Sequence, residues 1–450
     1  MTKLMQLIFL TLLQRNVKTF FKFAKAFLWD LFCRYSFKHY ICSQTTNYPK
    51  DMKTLKHTFI AIGLACLMGA CTSSQQEGTQ GLKTTHIDID NIRTDVKLSE
   101  FAEAKLLPLP TSDEVLIGNI SRIRTSEKSI CISDGNAIYR FSRSGEFLGK
   151  IEKKGKGPDE YTAISDFVIA DDENVWVLPM GKSLPMGESS LMLYSWDNRL
   201  VKELKIESAY RSQIHRMGDK LLLHNGNHIT ETNKHTLQVV DMNTGETLQR
   251  FLPIDEYKAK YLYLVESNNF HPGESDTICY YSTAHNDTTY RVTPNTCQAY
   301  QTFDFDGKNI PADFYRQDFS DIMAFNEGIS DGKIYGTSFQ LHSANHQWIG
   351  YIQKGKGAYS AIYAKDDSQQ AVIQTISIDE LNGYPMPITG DGWTDNKYVT
   401  GHNEIIFILQ PMDILEYIEE HAPEAMDDIK KKIQYTTDDQ NPVLMIVNLK

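Results

Sequence analysis

The feature that most constrains this chain is a unit of short β-runs joined by turn residues, repeated along most of its length. Ile130 to Ser133 is followed by the turn Asp134-Gly135-Asn136, then Ala137 to Phe141, then Ser142-Arg143-Ser144-Gly145, then Glu146 to Ile151. Runs of β-formers separated by two to four turn residues predict antiparallel hairpins. The scheme recurs at Val175 to Leu178, Leu191 to Trp196 and Leu200 to Ile206. It recurs at Lys220 to His224, Leu237 to Asp241 and Glu246 to Phe251, and again at Asp276 to Tyr281, Thr289 to Val292 and Ala299 to Phe305. Two more sets follow, at Lys333 to Phe339 with Trp348 to Ile352, and at Lys397 to Val399, Glu404 to Leu409 and Val443 to Leu449.

The first turns of these units fall near residues 134, 172, 219, 276, 332 and 395. Four-stranded propeller blades take about 40–50 residues each. A periodic all-β chain of this unit length predicts a six-bladed β-propeller, in which each blade covers the faces its neighbour cannot bury alone. Two β-sandwiches are the competing architecture. The phrase Ile151-Glu152-Lys153-Lys154-Gly155-Lys156-Gly157-Pro158, echoed by Ile352-Gln353-Lys354-Gly355-Lys356-Gly357, favours the propeller. Both copies are expected at turns between blades. Thr84 to Asp90 alternates and is expected to close the ring beside the strand Pro442 to Leu449. Ile414, Leu415, Ile418, Met426, Ile429 and Ile433 have helical spacing, and Lys430-Lys431-Lys432 suits a final helical turn. A short helical insertion is expected there.

Several phrases carry a family resemblance. Ala137 to Phe141, Gly145-Glu146-Phe147, Lys154 to Tyr161, Gly390-Asp391-Gly392-Trp393 and Asn441 to Ile446 resemble the six-bladed β-propeller lipoproteins of Bacteroidetes, which are similar to NHL-repeat propellers. The resemblance spans residues 84–450. It implies a Gram-negative envelope and brings no catalytic residues with it.

The N-terminal part carries an export signal. Met52-Lys53-Thr54-Leu55-Lys56-His57 is basic, Phe59 to Leu67 is apolar, and Leu67-Met68-Gly69-Ala70-Cys71 resembles a bacterial lipobox. A basic start, an apolar stretch and small residues at the cut make a signal peptide, and the apolar stretch is too short for a span of about 20 residues. Cys71 is the expected lipid attachment site. Residues 1–51 read as an extension upstream of the true start, 52–70 as the signal peptide, 71–82 as a flexible tether and 83–450 as the propeller. Surface-exported lipoproteins of the group it resembles often carry an acidic run straight after the lipidated cysteine; by that resemblance, its absence after Cys71 implies the periplasmic face rather than the cell surface.

Residues 1–70 carry ten Lys/Arg against two Asp/Glu, so the remainder has a formal charge of −19. That balance argues against nucleic acid as a partner. Cys131, Cys279 and Cys297 form no CxxC pair. Cys279–Cys297 is the likelier disulfide if one forms, and simple buried thiols are the alternative.

Gly328-Ile329-Ser330-Asp331-Gly332 fits G-x-S-x-G, but a nucleophile elbow needs a strand before it and a helix after it. Asp304-Phe305-Asp306-Gly307 has its glycine too early for a calcium loop. His215, His224, His228 and His235 lack a metal-ligand spacing. The two Lys-Gly-Lys-Gly phrases could cradle an anion, with Lys156 and Lys356 adding charge. Asp391, Trp393 and Asp395 form the most site-like stretch, since an indole can stack on a sugar ring while carboxylates accept hydroxyls. No metal or cofactor is expected. The leading expectation is a binding or scaffold module for a glycan, peptide or envelope protein. The alternative is an NHL-like hydrolase or lyase with a metal-assisted site in the central channel.

Overall fold

The computed structural model describes residues 82–450 apart from 95, 181–186, 209–212, 263–268, 367–369 and 389–395. Cys71 and the whole export signal lie outside the described residues, as do Asp391, Trp393 and Asp395.

The turns set the register. In the first hairpin Asp134 accepts from the amides of Asn136 at 2.8 Å and Ala137 at 2.9 Å, and Gly135 takes φ +84°. Asp241 repeats this with Asn243 and Thr244, and Gly245 follows at φ +80°. A Cβ on Gly245 would stand 2.4 Å from the Lys205 carbonyl oxygen, so both conformation and space demand glycine.

These hairpins build seven sheets. Sheet 1 is Arg122–Thr125, Ser129–Ser133, Ile138–Ser142 and Phe147–Ile151. Sheet 2 is Ala163–Ile169, Asn174–Met180, Glu188–Ser195 and Arg199–Glu207, and sheet 3 is Gln213–Met217, Lys220–His224, His235–Asp241 and Thr247–Pro253. Sheet 4 is Phe270–Pro272, Cys279–Tyr281, Thr288–Val292 and Cys297–Asp304, with Lys83–His86 added in parallel at its edge. Sheet 5 is Ile334–His342, His346–Gln353, Gly357–Ala364 and Gln370–Ile373, with Ile92–Arg93 added in parallel. Sheet 6 is the small set Ile376–Ile378, Tyr384–Pro385 and Val96–Lys97. Sheet 7 is Lys397–Val399, Glu404–Leu409, Val443–Leu449 and Ala102–Pro108.

The expected six-bladed ring is therefore corrected to an all-β propeller of seven sheets. Sheet 6 escapes a reading by periodicity because its strands are two or three residues long, too short to alternate. Its Ile376 and Ile378 share one apolar core with Phe339 and Trp348 of sheet 5 and Phe407 and Met445 of sheet 7. The other cores join neighbours pairwise: sheets 7 and 1, 1 and 2, 2 and 3, 3 and 4, 4 and 5. Strands second in their sheets are buried on both faces, as Ser129–Ser133 and Glu404–Leu409 are throughout. The fourth strands, such as Thr247–Pro253, are largely exposed. That gradient places the first strands at the axis.

Ring closure is also corrected. Ala102–Pro108, not Thr84 to Asp90, pairs with Val443–Leu449, antiparallel from Val443 opposite Pro108 to Leu449 opposite Ala102. The two Lys-Gly-Lys-Gly phrases are not equivalent: the first connects sheets 1 and 2, the second is a hairpin turn inside sheet 5. Cys131, Cys279 and Cys297 are free thiols. Cys279 and Cys297 both stand opposite Val292, on the strands either side of it. Two strand spacings make about 10 Å, beyond the roughly 7 Å a disulfide allows.

Among the described residues, four α-helices decorate the sheets: α1 Glu256–Ala259, α2 Ile322–Gly328, α3 Pro411–His421 and α4 Met426–Lys432. Helices α3 and α4 fill the insertion before the last strand, burying Ile414, Ile418 and Ile429 against the core of sheets 5 to 7. Gly328 ends α2 and Ile334 opens a strand, the reverse of the order a nucleophile elbow requires. No helix among the described residues is long and apolar enough to cross a membrane.

Candidate functional site

The axis of the ring is closed by charge. Asp166, fully buried on the first strand of sheet 2, accepts from Arg124 at 3.0 and 3.1 Å. Arg122 Nε lies 3.2 Å from the same carboxylate. The amides of Phe167 and Ile214 complete it at 2.8 and 2.9 Å. Arg124 also donates to the carbonyls of Phe167 and Ile214, so three first strands are tied at one point. Where those strands end, a mouth of about 480 Å³ opens, lined by Arg124, His215, Arg216, Phe270, Asp276 and Thr400 among others.

A second cavity lies between sheets 3 and 4, at the end where the first strands begin. Strand register shows this: His224, on its wall, stands opposite Gln213 at the start of the first strand of sheet 3. The cleft holds about 560 Å³. It is assembled from the turn after His224, the α1 connection, the turn after Tyr281 and helix α2.

Each piece is fixed locally. Asp255 caps α1, accepting from Tyr257 N at 2.9 Å, and its carboxylate also takes both terminal nitrogens of Arg316 at 3.2 Å. Asp321 caps α2 through the amides of Met323 and Ala324 at 2.9 Å. Tyr261 stacks on Phe325 at 5.1 Å and 15°, and its hydroxyl donates to the Phe319 carbonyl at 3.0 Å. An aromatic minor core of Tyr261, Phe314, Tyr315 and Phe325 therefore carries one wall.

The polar groups on that frame are specific. His285 holds φ +61°, a strained conformation for a side-chain-bearing residue, and its Nδ1 lies 3.1 Å from the Tyr315 hydroxyl. Burial, with the Lys258 charge adding to it, pushes the imidazole down to about 4. His224 Nδ1 lies 2.8 Å from the Tyr281 hydroxyl, and burial pushes that ring down to about 3. Both rings are neutral at pH 7. Lys258 is half-buried; its Nζ donates to the His285 carbonyl at 2.6 Å and lies 4.3 Å from the centre of the Tyr315 ring. Burial lowers its pKa. The cleft thus offers two neutral donor–acceptor rings, amides, hydroxyls and one ammonium beside tyrosine surface.

Phe270 bridges the axial mouth and the cleft. Phe270 lines the axial mouth and lies 5.5 Å from His215. On its other side it lies 5.8 Å from Tyr281 and 6.4 Å from His224, both in the cleft.

Lys156 is exposed in the connection between sheets 1 and 2, and Lys356 is exposed in the turn of sheet 5. Near Lys156 the glycine amides are already taken: Gly155 donates to Tyr161 O at 2.8 Å, and Gly157 to the Glu160 carboxylate at 2.7 Å. Asp304 and Asp306 turn their carboxylates to His86, at 3.3 and 2.9 Å. Among the described residues no three His, Cys, Asp or Glu side chains group closely enough to hold a metal ion. Lys258, Tyr261 and His285 carry no sequence motif. The signals that could have found their frame are the capping carboxylates Asp255 and Asp321, each opening a short helix outside the β-repeat.

A family model described as a domain of unknown function, DUF4934, matches residues 84–448. Among solved structures, a Bacteroides fragilis protein proposed to be exported superposes with a TM-score of 0.62 at 18% identity, over 82% of this chain and 100% of its own. A Bacteroides vulgatus member of the DUF4221 family gives 0.45 at 10% identity, over 78% and 98%. A Bacteroides caccae protein of unknown function gives 0.33 at 12%, over 56% and 81%. No curated protein matches the chain.

Proposed function

The chain belongs to the DUF4934 family, and on that footing we propose that it is a ligand-binding module of the bacterial envelope. Its ligand is a hydroxyl- and amide-bearing molecule, a glycan or short peptide, taken in the cleft between sheets 3 and 4. The supporting observation is the cleft itself: about 560 Å³, framed by capped helices and stacked rings, with neutral imidazoles and tyrosines on its walls. Binding sites of this kind are concave, preformed and mixed in polarity, typically about 300–1,000 Å³. The anchor is a lipid on Cys71, which holds the propeller on the periplasmic side of a membrane. The export signal in the sequence supports that placement, as does the structural likeness to a protein proposed to be exported.

A glycan and peptide screen on the purified chain tests the reading. Hits should raise the melting temperature and lose affinity in Tyr281→Phe and Tyr261→Ala. Hits insensitive to both substitutions would place binding elsewhere. Labelling cells with a palmitate analogue tests the anchor: Cys71→Ala should abolish incorporation, and persistent label would refute it.

A further inference from the structure

We infer that the ligand of this cleft carries a carboxylate and that Lys258 receives it; the inference rests on the cleft being the binding site. The argument is one of charge. Among the described residues, two formally charged side chains line the cleft, Asp255 and Lys258. The Asp255 charge is spent on the α1 cap and on Arg316. Asp287 is not among the described residues that line the cleft, and burial raises its pKa. The two histidines on the walls are uncharged at pH 7. What remains is one ammonium.

Lys258 makes no direct ion pair among the described residues; Asp255 and Asp287 favour its charged form only through space. Its contacts are a carbonyl oxygen and a ring face. An ammonium drawn out of water is costly without an anion to answer it. The cleft therefore presents an ammonium with no direct carboxylate partner, in a protein part whose formal charge is −19. That contrast selects against cationic ligands and leaves a place for an anion. The neutral imidazoles of His224 and His285 can donate to or accept from hydroxyl or amide groups on the rest of the molecule. A carboxylate fits this company better than a free inorganic anion, because most of the wall is tyrosine, amide and aliphatic surface.

Isothermal titration of the full chain tests the inference with matched probes. Galacturonate and N-acetylneuraminate represent sugar acids, N-acetylglutamate amide represents a peptide carboxylate, and each is paired with its methyl ester. An acid should bind at least about tenfold more tightly than its ester, and Lys258→Met should erase that difference. Lys258→Arg should keep most of it, and raised salt should weaken acid binding alone. Preference among the acids separates a sugar source from a peptide source. Esters that bind as tightly as acids would overturn the inference, as would a preference that survives Lys258→Met. Failure of every acid, with neutral glycans still binding in a Tyr281-dependent way, would overturn the inference and leave the cleft reading standing. A structural role for Lys258 predicts instead that Lys258→Met lowers the melting temperature and weakens acids and esters equally.

Discussion

Arg124 points one terminal nitrogen at both oxygens of Asp166, at 3.1 and 3.0 Å, on the axis where the first three sheets meet. Arg122 faces the same carboxylate. Removing one partner of a buried ion group leaves charge uncompensated and costs about 3–5 kcal/mol. Asp166→Ala should therefore lower unfolding free energy by about that amount. Replacing all three residues by apolar ones of similar size should cost less than Asp166→Ala alone. Urea unfolding of the two variants checks the order.

Asn441 fastens the loop after Ala102–Pro108 to the closing strand. Its side chain donates to Pro110 O and Val115 O at 2.7 Å and accepts from Ile117 N at 2.9 Å. Its own amide donates to Thr111 Oγ1 at 2.8 Å. Asn441→Ala strands three backbone groups, two of them buried, and should cost about 2–4 kcal/mol. Asn441→Asp should be no milder, since it turns a second acceptor toward two carbonyls. Denaturant midpoints measure both.

Stability should fall on mild acidification. Burial holds His224 and His271 down at about 3, and holds His342 well below its ordinary value. In the unfolded chain these rings titrate near about 6.5. The unfolded state therefore binds more protons as pH drops below that point, and the stability of the neutral rings is lost progressively down towards pH 3. Each such histidine contributes a slope of up to about 1.4 kcal/mol per pH unit in that window. Urea midpoints between about pH 7.5 and pH 5 should show the decline, and His224→Gln should flatten it by close to one proton.

The thiols should all titrate as free. Mass spectrometry without reductant should find Cys131, Cys279 and Cys297 each alkylatable after unfolding. In the native protein Cys131 and Cys279 should be inert to maleimide, because both are buried; burial pushes Cys131 up to about 12 and raises Cys279 as well. A 279–297 crosslink in the oxidised protein would contradict the strand register.

The middle strands of each sheet were legible because they are buried by neighbours on both faces and are continuously apolar, as in Glu404–Leu409. The first strands of sheets 5 and 7 were legible too, but those of sheets 1 and 3 were not. Arg122-Ile123-Arg124-Thr125 and Gln213-Ile214-His215-Arg216-Met217 look like loop sequence, since their polar side chains are answered by partners on other strands. The parallel edge strand Lys83–His86 was visible as a strand, but its partner was not, because parallel pairing to Cys297–Asp304 leaves no local mark. The cleft was the least legible part. Its walls come from four connections spread over residues 224 to 326, and their meeting is a product of the ring rather than of any short motif.

The pairing of Ala102–Pro108 with Val443–Leu449 joins segments about 340 residues apart. A chain that emerges N-terminus first must hold strand 102–108 unpaired until residues 443–449 emerge. Contacts of such sequence separation form late and slowly. During that interval sheet 7 lacks its outer strand and Asn441 has not yet locked the loop at 110–117. This propeller is thus a latch whose two halves travel at opposite ends of the cargo. Chaperones and proteases would meet it as an open ring before it closes.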